Sequence, residues 1–186
     1  MQRRSFFRLT LFVAAFGLIV TLLAASAQDA SRQQPSPKEE LRITKQVRHE
    51  LLMLPYFGVF DNIAYKVEGY NVTLLGQVVR PTLKSDAEHA IKHIEGVEKV
   101  DNQIEVLPVS PMDDGLRRRL FRAIYRYPPL QKYSLGNEKS IRIIVKNGHV
   151  TLEGVVDSEA DKNLVNMRAN GVSSFSVDNN LQVVKP

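Results

Sequence analysis

The sequence predicts an α+β fold made of two tandem αββαβ units, each a three-stranded sheet with two helices on one face. Three observations predict it. The stretch VEGYNVTLLGQVV (Val67–Val79) returns as VKNGHVTLEGVV (Val145–Val156), so Val72, Thr73, Leu74, Gly76 and Val78 answer to Val150, Thr151, Leu152, Gly154 and Val156. Each copy is flanked by apolar residues at helical spacing, and each ends in a short β-rich segment, VDNQIEV or VDNNLQV. A self-similar period of this kind marks a repeated structural module.

The chain opens with Arg3, Arg4 and Arg8, then an apolar run from Leu9 to Ala25, then Ala25-Ser26-Ala27. A basic start, an apolar core and a small-x-small site are the parts of a secretory signal peptide (residues 1–27), with cleavage expected after Ala27. The alternative is an uncleaved N-terminal anchor, because a run of about 17 apolar residues is near the lower limit for a membrane span. Residues 28–37, QDASRQQPSP, are polar with two prolines and read as a flexible linker. Unit one is assigned to residues 38–108 and unit two to residues 112–186, joined by SPMDDG, Ser110–Gly115.

In unit one Ile43, Val47 and Leu51 stand at i, i+4 and i+8, one face of a helix; in unit two Leu116, Leu120 and Ile124 do the same. Pro55 and Pro128 stop both helices at one register, because the proline ring blocks the continuing backbone bond. Asp113 and Asp114 are candidate caps for the second of these helices. Asn147-Gly148 between β-branched runs predicts a two-residue hairpin, whose turn needs positive φ. Unit one turns more loosely, between Glu68 and Asn71. The second helices carry the stripes Leu83, Ala87, Ala90, Ile91, Ile94 and Ala160, Leu164, Met167. Ser158 with Asp161 resembles a capping box. Gly96 and Gly171, each followed by valine, are expected as left-handed helix caps.

There is no cysteine, so no disulfide or lipoprotein thiol is available, and each unit must rest on its own core. Residues 38–110 hold 9 Lys/Arg and 11 Asp/Glu, a balance of −2; residues 111–186 hold 12 and 8, a balance of +4. The units therefore differ in sign.

A helix with apolar i, i+4, i+8 spacing, then V-x-N-G-x-V-T-L-x-G-x-V, a helix, Gly-Val and V-x-N-x-L-x-V resembles the BON domain, named for bacterial osmotically inducible and nodulation proteins. Unit two carries the closer match, in Asn147, Gly148, Gly154, Gly171-Val172, Asn179 and Leu181; unit one keeps Gly76 and Gly96. The resemblance spans about Lys38 to Pro186, nearly all of the mature chain. It implies a non-enzymatic, periplasmic envelope protein without cofactors, associated with phospholipid surfaces and with osmotic or envelope stress protection. It lends no ligand site, because the motif residues are turn glycines and core valines.

For a site, the residues point to unit two's first helix. With Leu116 at zero and 100° per residue, Leu120, Ala123, Ile124 and Tyr127 fall in one sector of about 100°. Arg118, Arg122 and Arg126 lie opposite with Arg119 beside them, and Phe121 and Tyr125 flank Arg118 outside the apolar sector. Such a face fits an anionic bilayer: arginine forks onto phosphate, and aromatic rings settle at head-group level. Two other readings stand beside it: Phe121 and Tyr125 pack against unit one, or the arginines are a solvated face. A rival function is a protein–protein or chaperone-like envelope factor that ignores lipid. Clustered arginines also suit nucleic acid, but an exported chain does not meet it. His89 and His93 share a helix face without a third ligand, so no metal is expected. No G-x-S-x-G, phosphate loop or dinucleotide fingerprint occurs, and no acid/base pair converges, so no catalytic residue is assigned.

Overall fold

Each unit opens on a serine followed by proline. The computed structural model describes residues 35–135 and 140–184; the leader, its Ala25-Ser26-Ala27 site and residues 28–34 lie outside the described residues. Ser36 caps α1 (Pro37–Leu52): its hydroxyl accepts the Glu39 N–H at 3.3 Å, and the Glu39 carboxylate accepts the Ser36 N–H at 2.9 Å. This reciprocal box, with proline at the first helical position, draws Pro37 into the helix and out of the linker. In unit two Ser110 caps α3 (Pro111–Tyr125), accepting the Asp113 N–H at 3.2 Å. Asp113 and Asp114, expected as caps, are therefore inside the helix, and Ser110–Gly115 is its first turn, not the joint. Leu107 still belongs to unit one, buried with its N–H on the Val78 carbonyl at 2.8 Å, so Pro108 and Val109 make the joint.

After α1 the chain forms a hairpin, β1 (Asn62–Glu68) and β2 (Asn71–Val78), then α2 (Pro81–Lys92), then β3 (Lys99–Asn102) and β4 (Glu105–Val106). β2 is central. It pairs antiparallel with β1 and parallel with β3, and β4 resumes the β3 row farther along β2. Unit two repeats the arrangement with β5 (Ile141–Lys146), β6 (His149–Val156), α4 (Glu159–Asn170), β7 (Ser176–Asn179) and β8 (Gln182–Val183). The architecture is the expected α+β pair of αββαβ units. The one addition is that the third strand row breaks in two. Asn102 makes the break: its side chain accepts the Ile104 N–H at 3.2 Å and donates to the Lys84 carbonyl in α2 at 2.8 Å. Asn179 repeats both bonds, to Leu181 and to Lys162.

The core of unit one joins Ile43, Val47 and Leu51 of α1, Leu83, Ala87 and Ile91 of α2, and Val72, Leu74 and Val78 of β2. Unit two joins Leu116, Leu120 and Ile124 with Val165, Ala169, Val150, Leu152 and Val156. The stripe expected on α4 is thus displaced: Val165 and Ala169 are buried, whereas Ala160 and Met167 are exposed. Gly171 is also corrected. Its φ of −71° is right-handed, so it ends α4 without a left-handed cap. Gly96 does take φ +88°, in the turn beyond α2. Gly76 and Gly154 are required where they stand, because a Cβ would lie 2.1 Å from the Asn62 carbonyl oxygen and 1.9 Å from that of Ser140. The β5–β6 turn has φ 52° at Asn147 and 80° at Gly148, the expected type I′ pattern; at the β1–β2 turn, Gly69 has φ 66°.

The two units touch through the segment between α1 and β1. Val59 and Phe60 pack against the core of unit two. The Val59 carbonyl accepts the Ile143 N–H at 2.8 Å, so this segment covers the outer edge of β5. Arg142 of β5 donates to the Gly58 carbonyl at 2.9 Å and lies 4.5 Å over the Phe57 ring. Asp61 holds the segment in shape, its carboxylate accepting the N–H of Gly58 at 2.9 Å and of Val79 at 2.8 Å. Burial pushes the Asp61 carboxyl up, against those two bonds and the nearby Arg142 and Arg80.

Candidate functional site

α3 buries more of itself than its own apolar spacing provides. Leu116, Leu120 and Ile124 face the sheet of unit two, and unit one covers a second flank through Phe60. Phe121 is half-buried there, edge-to-face with Phe60 at 6.3 Å and 5.1 Å from the Tyr125 ring. Tyr125, expected at the surface, is only 3% exposed, and its hydroxyl donates to the Ile141 carbonyl. Burial raises its hydroxyl above the ordinary tyrosine range. Neither ring is therefore an outward membrane anchor; of the readings open in the sequence, packing against unit one is the one found for Phe121.

The arginines divide in the same way. Arg117 falls inside the covered sector and is buried, with Nη1 on the Asp114 carboxylate and Nη2 on the Val145 carbonyl, both at 2.6 Å. Arg118, Arg119, Arg122 and Arg126 are all exposed, and none has an acidic partner among the described residues. At 100° per residue they occupy about 100° of the helix circumference. The stripe is a cationic face on a helix whose middle turns are otherwise packed, with Met112 exposed near its start.

At the start of α3, Asp113 is buried and both its oxygens accept backbone N–H groups of the β5–β6 turn, from Asn147 and Gly148, each at 2.9 Å. The backbone N–H groups of Asn147 and Gly148 are thus taken by an internal acid, while both residues line the adjoining cleft. Beside it a cleft of about 430 Å³ opens between Met112, Leu116, Arg119, Ser173 and Phe175. His89 and His93 are exposed with rings 4.4 Å apart, and no group of three or more metal-ligating side chains occurs among the described residues.

The family model for the BON domain matches residues 40–108 and 114–185. The chain belongs to the BON-domain family. Each match coincides with one αββαβ unit, so this is a tandem BON protein. No curated protein matches it. Among solved structures, one from studies of CdsD, a structural protein of the type III secretion system of Chlamydia trachomatis, is 10% identical, covers 77% of this chain and 92% of that one, and has a TM-score of 0.28. The C-terminal domain of CdsD is 11% identical, with 76% and 96% covered and a TM-score of 0.27. Scores at this level carry no argument about either BON unit. Among the described residues, no helix is long and apolar enough to cross a membrane.

Sequence reasoning missed Arg117, Asp113, Asp61 and Phe60 as the groups that frame this face. Arg117 was within reach, since it falls 100° from Leu116 and next to Ile124, inside the apolar side of the helix. The role of Phe60 had no local signal, because its partner Phe121 lies 61 residues on, in the other unit.

Proposed function

We propose that this chain is an exported, periplasmic, non-enzymatic binding module that attaches to anionic phospholipid surfaces through the arginine face of α3. One observation carries the reading: Arg118, Arg119, Arg122 and Arg126 are exposed together on one side of a helix, without acidic partners among the described residues. Each basic side chain near an anionic leaflet contributes about 1 kcal/mol, so four give about 4 kcal/mol. With Phe121 and Tyr125 turned inward, attraction is electrostatic and has no aromatic anchor on this face. Envelope integrity and osmotic protection, general associations of the family, are the setting in which such peripheral attachment serves. Unit one, at −2, carries the less basic of the two first helices, with Lys45 and Arg48 exposed, and serves as the unit that braces α3.

Vesicle co-sedimentation tests the reading. The protein should sediment with phosphatidylglycerol-containing vesicles and not with purely zwitterionic ones. Because the Debye length shrinks from about 10 Å at 0.1 M salt to about 3 Å at 1 M, high salt should release it. Arg118→Glu with Arg122→Glu removes about 2 kcal/mol of attraction and adds comparable repulsion, which lowers affinity by about 10³-fold. Unchanged sedimentation of the reversed protein would refute the proposal and favour the protein-binding alternative.

A further inference from the structure

Unit two's outer strand β5 and unit one's outer strand β1 are the same strand of the repeat, yet only β5 is covered. The ladders fix the equivalence: Ile143 stands opposite Leu152, and Tyr65 opposite Leu74. Ile143 turns its N–H outward, where the Val59 carbonyl takes it at 2.8 Å. Tyr65 in the same register must turn its N–H outward too, and Ile63 and Val67, two residues to either side, share that direction. Among the described residues β1 pairs with β2 alone. Seven residues of strand therefore end in an open edge of unpaired backbone groups, the feature that templates another strand.

The edge borders a groove. A space of about 510 Å³ runs beside Ile63 and Tyr65, with Arg48, Leu52, Phe57 and Val155 among its walls. The size is that of a binding cleft. Leu52 and Val155 are exposed apolar side chains at its rim, and Arg48 is an exposed cation without an ion pair among the described residues. Phe57, Arg142 and Val155 make the groove continuous with the interface between the units.

We infer that the open edge of β1 takes up an extended segment of a partner polypeptide as an added strand, with an apolar side chain against Leu52, Phe57 and Val155 and an acidic group at Arg48. On β5 the equivalent N–H is already taken by a turn of the chain, Gly58–Asp61, through the Val59 carbonyl; on β1 it stays open beside a groove that continues that interface. Backbone pairing supplies the attachment and alternate side-chain pockets the selectivity. This surface is separate from the arginine face of α3 and does not rest on lipid binding.

The probe is a synthetic peptide with the sequence Leu54–Asp61, added in excess to the full chain while amide hydrogen exchange is followed. Exchange at Ile63, Tyr65 and Val67 should slow by about tenfold or more, with α2 unchanged. The same peptide N-methylated at alternate amides should give no slowing, and Arg48→Glu should weaken the effect of the unmodified peptide by about tenfold. Arg118→Glu with Arg122→Glu should leave it intact, which separates this site from the lipid reading. Unaltered exchange at those three amides, equal protection by the N-methylated peptide, or a change confined to β5 through displacement of the internal segment would each overturn the inference.

Discussion

Gly154→Ala offers a direct test of the view that the BON motif residues build the fold and do not touch ligand. Gly154 has φ +116°, beyond even the left-handed helical basin, and an alanine forced there is strained by about 1–3 kcal/mol. Its Cβ would lie 1.9 Å from the Ser140 carbonyl oxygen, so that carbonyl must retreat by more than about 1 Å. The same oxygen accepts the Val155 N–H at 3.1 Å, and losing that bond adds about 1 kcal/mol. Together these amount to about 2–4 kcal/mol, a large share of the stability of an ordinary domain. Gly115→Ala is the internal control. Gly115 is helical, and a Cβ there meets only the end of the Arg119 side chain at 3.3 Å, so the change should stabilise by about 0.5–1 kcal/mol. Equilibrium urea unfolding followed by circular dichroism reads both. A Gly154→Ala protein within about 1 kcal/mol of wild type would refute the reasoning.

Further outcomes are equally definite. Tyr125→Phe should cost about 1–2 kcal/mol through the lost bond to Ile141 and leave vesicle affinity unchanged; a drop in affinity at constant stability would put Tyr125 back at the membrane. Asp113→Ala should cost about 2–4 kcal/mol and speed exchange at the Asn147 and Gly148 amides, with unaltered exchange there contradicting the assignment. Asp161 governs acid stability in unit two. Bonds from Lys132 at 2.8 Å, together with those from Tyr133 and Ser158, hold its carboxyl below the ordinary range. A lowered folded pKa means stability present above the unfolded value of about 4 and lost as pH falls through the folded one. Asp161→Asn should therefore be less stable than wild type at pH 7 and converge with it at about pH 2, as urea midpoints would show; parallel pH profiles would exclude the role.

The periodicities of α1 and α3 and the Asn-Gly turn were legible because each depends on residues close in sequence. The displaced stripe on α4 shows where such reading stops. Counting apolar residues alone selects Ala160, Leu164 and Met167, but the repeat carries Leu83, Ala87 and Ile91 of unit one onto Asp161, Val165 and Ala169. Asp161 hides the register. It occupies the core position of Leu83, and Tyr133, from the longer segment that precedes β5, fills in beside it and donates its hydroxyl to it at 2.8 Å. The start of α1 was written plainly as Ser36-Pro37-Lys38-Glu39, but Pro35 and Pro37 also read as a linker. In the candidate site the arginine spacing was visible and the burial of Tyr125 was not, because the apolar sector was drawn for a helix with one packed side.

That second packed side bears on why the units are joined. By its own apolar residues, α3 would bury a sector of about 100° and leave Phe121 at the surface beside the arginines. With Arg117 and Tyr125 bonded to β5 of unit two and Phe121 against Phe60 of unit one, the covered sector widens to about 200°, and the arc of Arg118, Arg119, Arg122 and Arg126 stays open. The first copy thus covers Phe121 without touching the four exposed arginines of α3, so that less apolar surface stands beside them. The β5 edge is met by the Val59 carbonyl of unit one and by Arg117 and Tyr125 of α3, whereas β1 pairs with β2 alone among the described residues. Duplication in this chain consequently yields two unlike surfaces from one fold, an arginine arc on unit two and a backbone edge on unit one, and the asymmetry arises from the contact of unit one with β5 and from Arg117 and Tyr125 standing where α1 has Thr44 and Leu52.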